Sequence, residues 1–215
     1  TSFLPSAGDQ FASLTATSST LEPERFTNRE LGAKWDVRPG LALTTAAYRL
    51  DRTNTSAPDP VDPTRTVQTG SQRTTGWELG VAGSVTEGWD VSGGVAAQRA
   101  RIVSRTSAAR EGATVPLVPA RTLSLWNRWQ ATRRLGAGLG VIHQGRMYAA
   151  IDNAVTLPAF TRLDGALYVG LARGVRAQLN VENVLDARYH ATSHGNNNIM
   201  PGAPRTLRVS LSTGL

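Results

Sequence analysis

Cysteine is absent from this 215-residue chain, and of its 23 lysines and arginines only Lys34 is a lysine. The first absence excludes a disulfide framework, thiolate metal sites and thiol catalysis. No run of about 18 apolar residues occurs either, so no helix is available to cross a bilayer. The hydrophobic fraction, 40%, is slightly low for a globular core. A net charge of +7 and a pI near 10.9 invite a nucleic-acid reading. The distribution argues against it, because arginines are scattered through nearly every segment and no basic helix or tail exists. There is also no charged n-region or apolar h-region at Thr1-Ser2-Phe3, which reads as a piece of something longer.

What is present is a period of two. Alternation predicts strands over 27–37, 41–53, 71–86, 89–103, 121–131, 135–148, 160–171, 175–189 and 205–214. In the third, Trp77, Leu79, Val81 and Val85 share one face, and Glu78, Gly80, Ala82 and Ser84 the other. In the eighth, Val175, Ala177, Leu179 and Val181 oppose Arg176, Gln178, Asn180 and Glu182. A helix would instead place apolar groups three and four apart.

The connections alternate strictly between short and long. Arg38-Pro39-Gly40, Glu87-Gly88, Thr132-Arg133-Arg134 and Arg173-Gly174 are tight. Asn54 to Gly70, Ser104 to Ala120, Ala149 to Ala159 and His190 to Pro204 are long. Outer-membrane barrels have this asymmetry, with short periplasmic turns and long extracellular loops. Residues 1–26 then read as a further outer loop. Trp35, Trp89 and Trp129 lie within about four residues of a tight turn and have apolar-face parity, as an interfacial aromatic girdle requires.

The opposite faces carry Glu30, Lys34, Asp36, Glu78, Asp90, Arg128, Asp164, Arg176, Glu182 and Arg208. In a barrel these line a wet lumen where opposite charges on adjacent strands pair. In a soluble β-sandwich, the alternative, they form the solvated outer surface. Loop asymmetry and tryptophan placement favour the barrel. Nine strands is odd, whereas bacterial single-chain barrels carry even numbers. The expectation is therefore an all-β, antiparallel, up-and-down transmembrane β-barrel segment belonging to a larger barrel.

The run Leu179-Asn180-Val181-Glu182-Asn183-Val184-Leu185-Asp186-Ala187-Arg188-Tyr189 resembles the penultimate-strand pattern of TonB-dependent siderophore receptors. Asn196-Asn197-Asn198-Ile199-Met200-Pro201-Gly202-Ala203-Pro204-Arg205-Thr206-Leu207 is similar to the loop and Gly-x-Pro-Arg-Thr start of that family's final strand. Leu21-Glu22-Pro23-Glu24, followed by Glu30-Leu31-Gly32, resembles the opening of one of its later strands. The resemblance implies a 22-stranded plugged barrel, with residues 1–215 its C-terminal portion and neither plug nor TonB box present. It implies import of a ferric siderophore, with iron carried as a chelate and no protein-bound cofactor. The implied partners are that chelate, outer-membrane lipid and lipopolysaccharide, and TonB through the N-terminal part of the family's chains. The family usually ends on an aromatic residue. This sequence ends Ser212-Thr213-Gly214-Leu215, so either the terminus lies further on or the terminal signal is a variant. A porin, or a TonB-dependent carrier of cobalamin or oligosaccharide, is the alternative within the outer membrane.

No catalytic constellation is visible. His190-x-x-x-His194 has the spacing of two helical metal ligands, but it sits in a Gly/Asn-rich loop without a third ligand and reads as solvated. Gly136, Gly138 and Gly140 share the polar face and read as lumenal gaps where another backbone or a plug approaches. Arginine and aromatic side chains at the outer mouth would grip an anionic chelate through charge-assisted bonds and stacking. Near the long loops these are Arg146, Tyr148, Arg101, Arg105, Arg52, Tyr189 and His194, with Asn196, Asn197 and Asn198 as neutral donors. Arg146 and Tyr148 have the parity of Gly136 to Gly140 and are expected to point inward.

Overall fold

The structure is a computed structural model that describes residues 2–4, 23–59, 61–62, 64–107, 109–172 and 174–213. Among the described residues the elements, in chain order, are β1 (Ser2–Leu4), β2 (Glu24–Arg38), β3 (Leu41–Pro58), β4 (Thr66–Thr86) and β5 (Trp89–Ile102). There follow β6 (Arg121–Gln130), β7 (Leu135–Gln144), β8 (Met147–Tyr148), β9 (Thr156–Leu157) and β10 (Phe160–Ala172). The last are β11 (Val175–Glu182), β12 (His190–Gly195), β13 (Asn198–Pro201) and β14 (Thr206–Thr213).

One antiparallel sheet runs in the order β1-β2-β3-β4-β5-β6-β7-β10-β11-β14, so consecutive long strands are always neighbours. Every expected long strand is there. Short links join β2 to β3, β4 to β5, β6 to β7 and β10 to β11. Left-handed glycines close three of them: Gly40 (φ 82°), Gly88 (φ 77°) and Gly174 (φ 77°). At the fourth, the Thr132 hydroxyl accepts the amides of Arg134 and Leu135 at 3.2 and 3.0 Å.

Register decides which side chains share a surface. Leu31 pairs with Ala47, Ala47 with Trp77, Trp77 with Ala97 and Leu123 with Val95 and His143. Leu167 pairs with Ala137 and Leu179, and Leu179 with Val209. Odd residues meet odd residues through the body of every long pairing, so nine strands contribute one odd-numbered face and one even-numbered face. No second sheet covers the odd face among the described residues. Trp35 is 62% exposed, Leu79 44% and Val209 71%. A β-sandwich would bury these residues, so that alternative fails. Trp89 and Trp129 stand opposite each other on this face with ring centroids 6.3 Å apart.

The even face pairs its charges as expected. Asp90 meets Arg128 at 3.8 Å across β5–β6, and Glu182 meets Arg208 at 3.7 Å across β11–β14. The glycines of β7 are not open gaps. A Cβ on Gly138 or Gly140 would strike the Trp126 indole, which lies over both from β6. Beside it, Arg128 reaches across β7 to place its guanidinium 5.0 Å from the Tyr168 ring centroid on β10. The same device recurs where Tyr48 of β3 crosses Gly76 of β4 and donates to Gln98 of β5 at 3.0 Å. A side chain of the flanking strand, rather than a separate backbone, occupies each of these spaces.

Three further expectations are corrected. Residues 1–26 are not wholly loop: Ser2–Leu4 pairs with Glu24–Phe26, and 5–22 lie outside the described residues. The β3–β4 hairpin does not open at Asn54. A bulge carrying Asn54 at φ 58° resets the register, and pairing then continues to Pro58 and Thr66. The buried hydroxyls of Thr55 and Thr69 meet at 2.7 Å beside that bulge. The proline-rich composition marks the tip, not the whole segment. Finally, β11 ends at Glu182 rather than 189, because Asn183 and Asp186 adopt left-handed φ values of 55° and 51°.

Candidate functional site at the long-connection end

The buried apolar clusters lie where the long connections pack on one another and on the end of β5. One joins Ala100 and Ile102 of β5 to Ala109, Ala113, Val115 and Ile151. Another joins Met147, Ala149 and Leu157 of the β8–β9 hairpin to Val155 and Ile199. Ser193 donates to the Ala149 carbonyl at 2.9 Å and so fastens the β12–β13 hairpin to β8–β9. Connections that pack on each other in this way can present side chains in fixed positions. At the β3–β4 tip, the hydroxyl and amide of Thr64 donate to Asp62 at 2.6 and 3.1 Å. These bonds hold the Asp62 carboxyl below its ordinary pKa.

The ten residues expected at the site separate into three groups. His194, Asn197 and Asn198 are exposed at the tip of the β12–β13 hairpin, and Arg105 is exposed in the β5–β6 connection. A second group is held by internal contacts. Arg52 pairs with Glu24 at 2.8 Å and lies 4.9 Å from the Phe26 ring centroid. Tyr189 stacks on Phe160 at 4.2 Å. Asn196 donates to Asp152 at 2.8 Å.

The third group, Arg101, Arg146 and Tyr148, lines a cleft of about 790 Å³ together with Arg99, Arg121 and Trp77. This corrects the inward reading of Arg146 and Tyr148. β7 ends at Gln144, and Gly145 still bonds the Arg121 carbonyl at 2.8 Å. Beyond it the even-faced Gln144 donates to Met147 at 3.4 Å, which puts Met147, three residues on, beside it. The break inverts the alternation, so Arg146 and Tyr148 line the cleft with the odd residues Trp77, Arg99 and Arg121. Sequence reading missed Arg99 and Arg121. Their odd parity, continued past the apolar part of each strand, was the available signal.

His190 and His194 lie on one extended strand rather than a helix. Residues four apart on a strand are about 13 Å distant, too far for a shared ion.

Among known proteins, the family model described as "TonB dependent receptor-like, beta-barrel" matches residues 1–184. The chain is 33% identical, over 99% of its length and 30% of the relative's, to the probable TonB-dependent receptor BfrD of Bordetella pertussis. It is likewise 33% identical, over 96% of its length and 29% of the relative's, to the catecholate siderophore receptor Fiu of Escherichia coli K12. The chain thus spans about three-tenths of these curated relatives. The crystal structure of the ferric-catecholate import receptor Fiu in closed form superposes with a TM-score of 0.81 at 30% identity. That match covers 99% of this chain and 31% of that one. The siderophore receptor PiuA from Acinetobacter baumannii gives 0.79 at 26% identity, over 93% of this chain and 30% of that one.

Proposed function

This chain belongs to the TonB-dependent receptor-like β-barrel family, and from that premise we propose that it forms part of the wall and outer loops of a receptor importing a ferric siderophore. The observation that carries this reading is the likeness to the catecholate siderophore receptor Fiu over nearly the whole chain, outer connections included. Relatives named as siderophore receptors favour this cargo over cobalamin or oligosaccharide. These relatives are receptors rather than enzymes, and we read this chain as non-catalytic too.

The family's members are proteins of the Gram-negative outer membrane. In that setting the odd face meets acyl chains and the even face lines the lumen. The short turns lie in the periplasm, and the packed long connections face the medium. Residues 1–215 are then a C-terminal portion of the barrel, and TonB engages the receptor outside this portion. Iron travels within its chelate, without protein ligands. Arg105, His194, Asn197 and Asn198 supply the exposed donors for the chelate. Arg52, Tyr189 and Asn196 support them through their packing contacts.

Deletion of the gene tests the proposal. Uptake of radioactive iron should be measured with a panel of ferric siderophores, catecholates first. Loss of uptake for one chelate class, restored by the plasmid-borne gene, is the expected result. Unchanged uptake of every ferric chelate tried would overturn it.

A further inference from the structure

Two of the long connections carry exposed donors, Arg105 on the β5–β6 connection and His194 and Asn197 on the β12–β13 hairpin. Among the described residues no hydrogen bond joins these two connections directly. The β8–β9 hairpin stands between them, and neighbouring residues of its tip hold one or the other. Toward β12–β13, the Ala149 carbonyl accepts the Ser193 hydroxyl at 2.9 Å, and the Asp152 carboxylate accepts the Asn196 amide at 2.8 Å. Toward β5–β6, the Tyr148 carbonyl accepts the Leu117 amide at 2.9 Å. Ile151, 1% exposed, enters the apolar cluster of Ala113 and Val115.

The firmest hold comes from Asn153. Residues 113–115 pair with the end of β5, where the Ile102 amide donates to the Ala113 carbonyl at 2.8 Å and the Val115 amide to the Ala100 carbonyl at 3.2 Å. In such an antiparallel pairing the N–H and C=O of the middle residue, Thr114, point to the opposite, free edge. Asn153 occupies that edge. Its Oδ1 accepts the Thr114 amide at 2.7 Å, and its Nδ2 donates to the Thr114 carbonyl at 2.8 Å. A side-chain amide carries both a donor and an acceptor, so one residue supplies what a further strand would. Asn153 has a φ of 58°, which asparagine tolerates better than most side chains. Its backbone amide closes the hairpin tip on the Ala150 carbonyl at 3.1 Å. The left-handed backbone thus shapes the tip, while the side chain reaches a different connection.

We propose that Asn153 is a positioning residue for chelate binding. By gripping the backbone of Thr114 it fixes the β5–β6 connection relative to the β12–β13 hairpin before any chelate arrives. The proposal rests on the assignment of Arg105, His194 and Asn197 to the chelate. A surface assembled in advance binds more tightly, because binding need not order it. Apparent affinity falls with the fraction of molecules in the competent arrangement, so an arrangement held a tenth of the time costs about tenfold.

The test uses the full-length receptor in detergent, with any cysteine outside residues 1–215 replaced by serine. Those residues contain none. Glu111→Cys with Ala191→Cys then puts one spin label on each connection. Double electron–electron resonance without chelate should give one narrow distance distribution. Asn153→Gly should make it about twice as wide, because glycine keeps the left-handed turn and removes only the grip. Asn153→Asp should be intermediate, since it keeps the acceptor and loses the donor. Labels on two short turns, at Glu87→Cys and Arg133→Cys, should not respond to either change. Uptake of the ferric tris-catechol complex gives the second readout. In the Asn153→Gly receptor its half-saturating concentration should rise about tenfold, with the maximal rate almost unchanged. A distribution already broad in the wild type, or unaltered by Asn153→Gly, overturns the proposal. So does a lowered maximal rate with unchanged half-saturation. Should the glycine variant fail to fold, hydrogen exchange at the Thr114 amide of the wild type decides: slow exchange supports the grip and fast exchange overturns it. If no ferric chelate is taken up while the labels respond as expected, the transport reading falls and the hold between the connections stands.

Discussion

The backbone N–H of Asn183 donates to one carboxylate oxygen of Asp164 at 2.8 Å, while the other oxygen accepts the Arg162 guanidinium at 2.7 Å. The Asn183 side chain is 1% exposed, donates to the carbonyls of Ala187 and Ala203, and accepts the Ala187 amide. It therefore ties the end of β11 to the segment just before β14. Asn183→Ala should leave the Ala187 amide and the Ala187 and Ala203 carbonyls without this partner, at a left-handed position, and cost about 2 kcal/mol. Asn183→Gly should cost less, since glycine tolerates that φ. Equilibrium unfolding in guanidinium after reconstitution measures both, and a loss below about 1 kcal/mol for the alanine variant would show that the tie is unimportant.

Gly138 lies beneath the Trp126 indole, with no room for a Cβ. Gly138→Val should sharply lower the folded fraction seen on unboiled gels. Adding Trp126→Ala should restore at least half of what was lost, because the collision partner is gone. Absence of rescue would mean that β7 needs glycine for its backbone alone.

Leu125 and Ser124 are chain neighbours on opposite faces of β6, about halfway between Trp129 and Arg121. Leu125→Arg should cost about 2–4 kcal/mol in a bilayer, as for a cation at the midplane of a lipid-facing wall. Ser124→Arg should stay within about 0.5 kcal/mol, since its side chain reaches water. Equal losses at the two positions would contradict the division into a lipid face and a wet face.

The exposed hairpin tip and the ion-paired Arg52 should behave differently. His194→Ala with Asn197→Ala is expected to weaken chelate binding about tenfold, with maximal uptake retained at saturating ligand. Arg52→Ala removes the Glu24 pair and the Phe26 contact, so it should lower folding yield rather than affinity. The reverse pattern, read from binding isotherms on folded protein, would move the chelate contacts to Arg52.

The strands were legible because burial on one face forces a period of two on each segment separately. Leu79, Val81, Leu179 and Val209 announce their face without reference to any partner. The short turns were legible for a similar local reason, since Gly40, Gly88 and Gly174 supply conformations other residues resist. The places where the reading failed are places where alternation is interrupted. Asn54 and the break after Gln144 shift the parity of the residues beyond them, Asn183 ends its strand early, and composition gives no sign of any of the three. Arg52 and Tyr189 looked like ligand residues because nothing in the sequence puts Glu24 beside one or Phe160 beside the other.

Local chemistry thus settled which residues form each ribbon, which face of it is apolar, and which connections are long. Those properties follow from side-chain polarity and backbone preference over a few neighbours. Register, bulges and the packing of one connection on another came only from the assembled sheet. They depend on hydrogen bonds between residues tens of positions apart. One such interruption, after Gln144, sets Arg146 in the same cleft as Arg99 and Arg121.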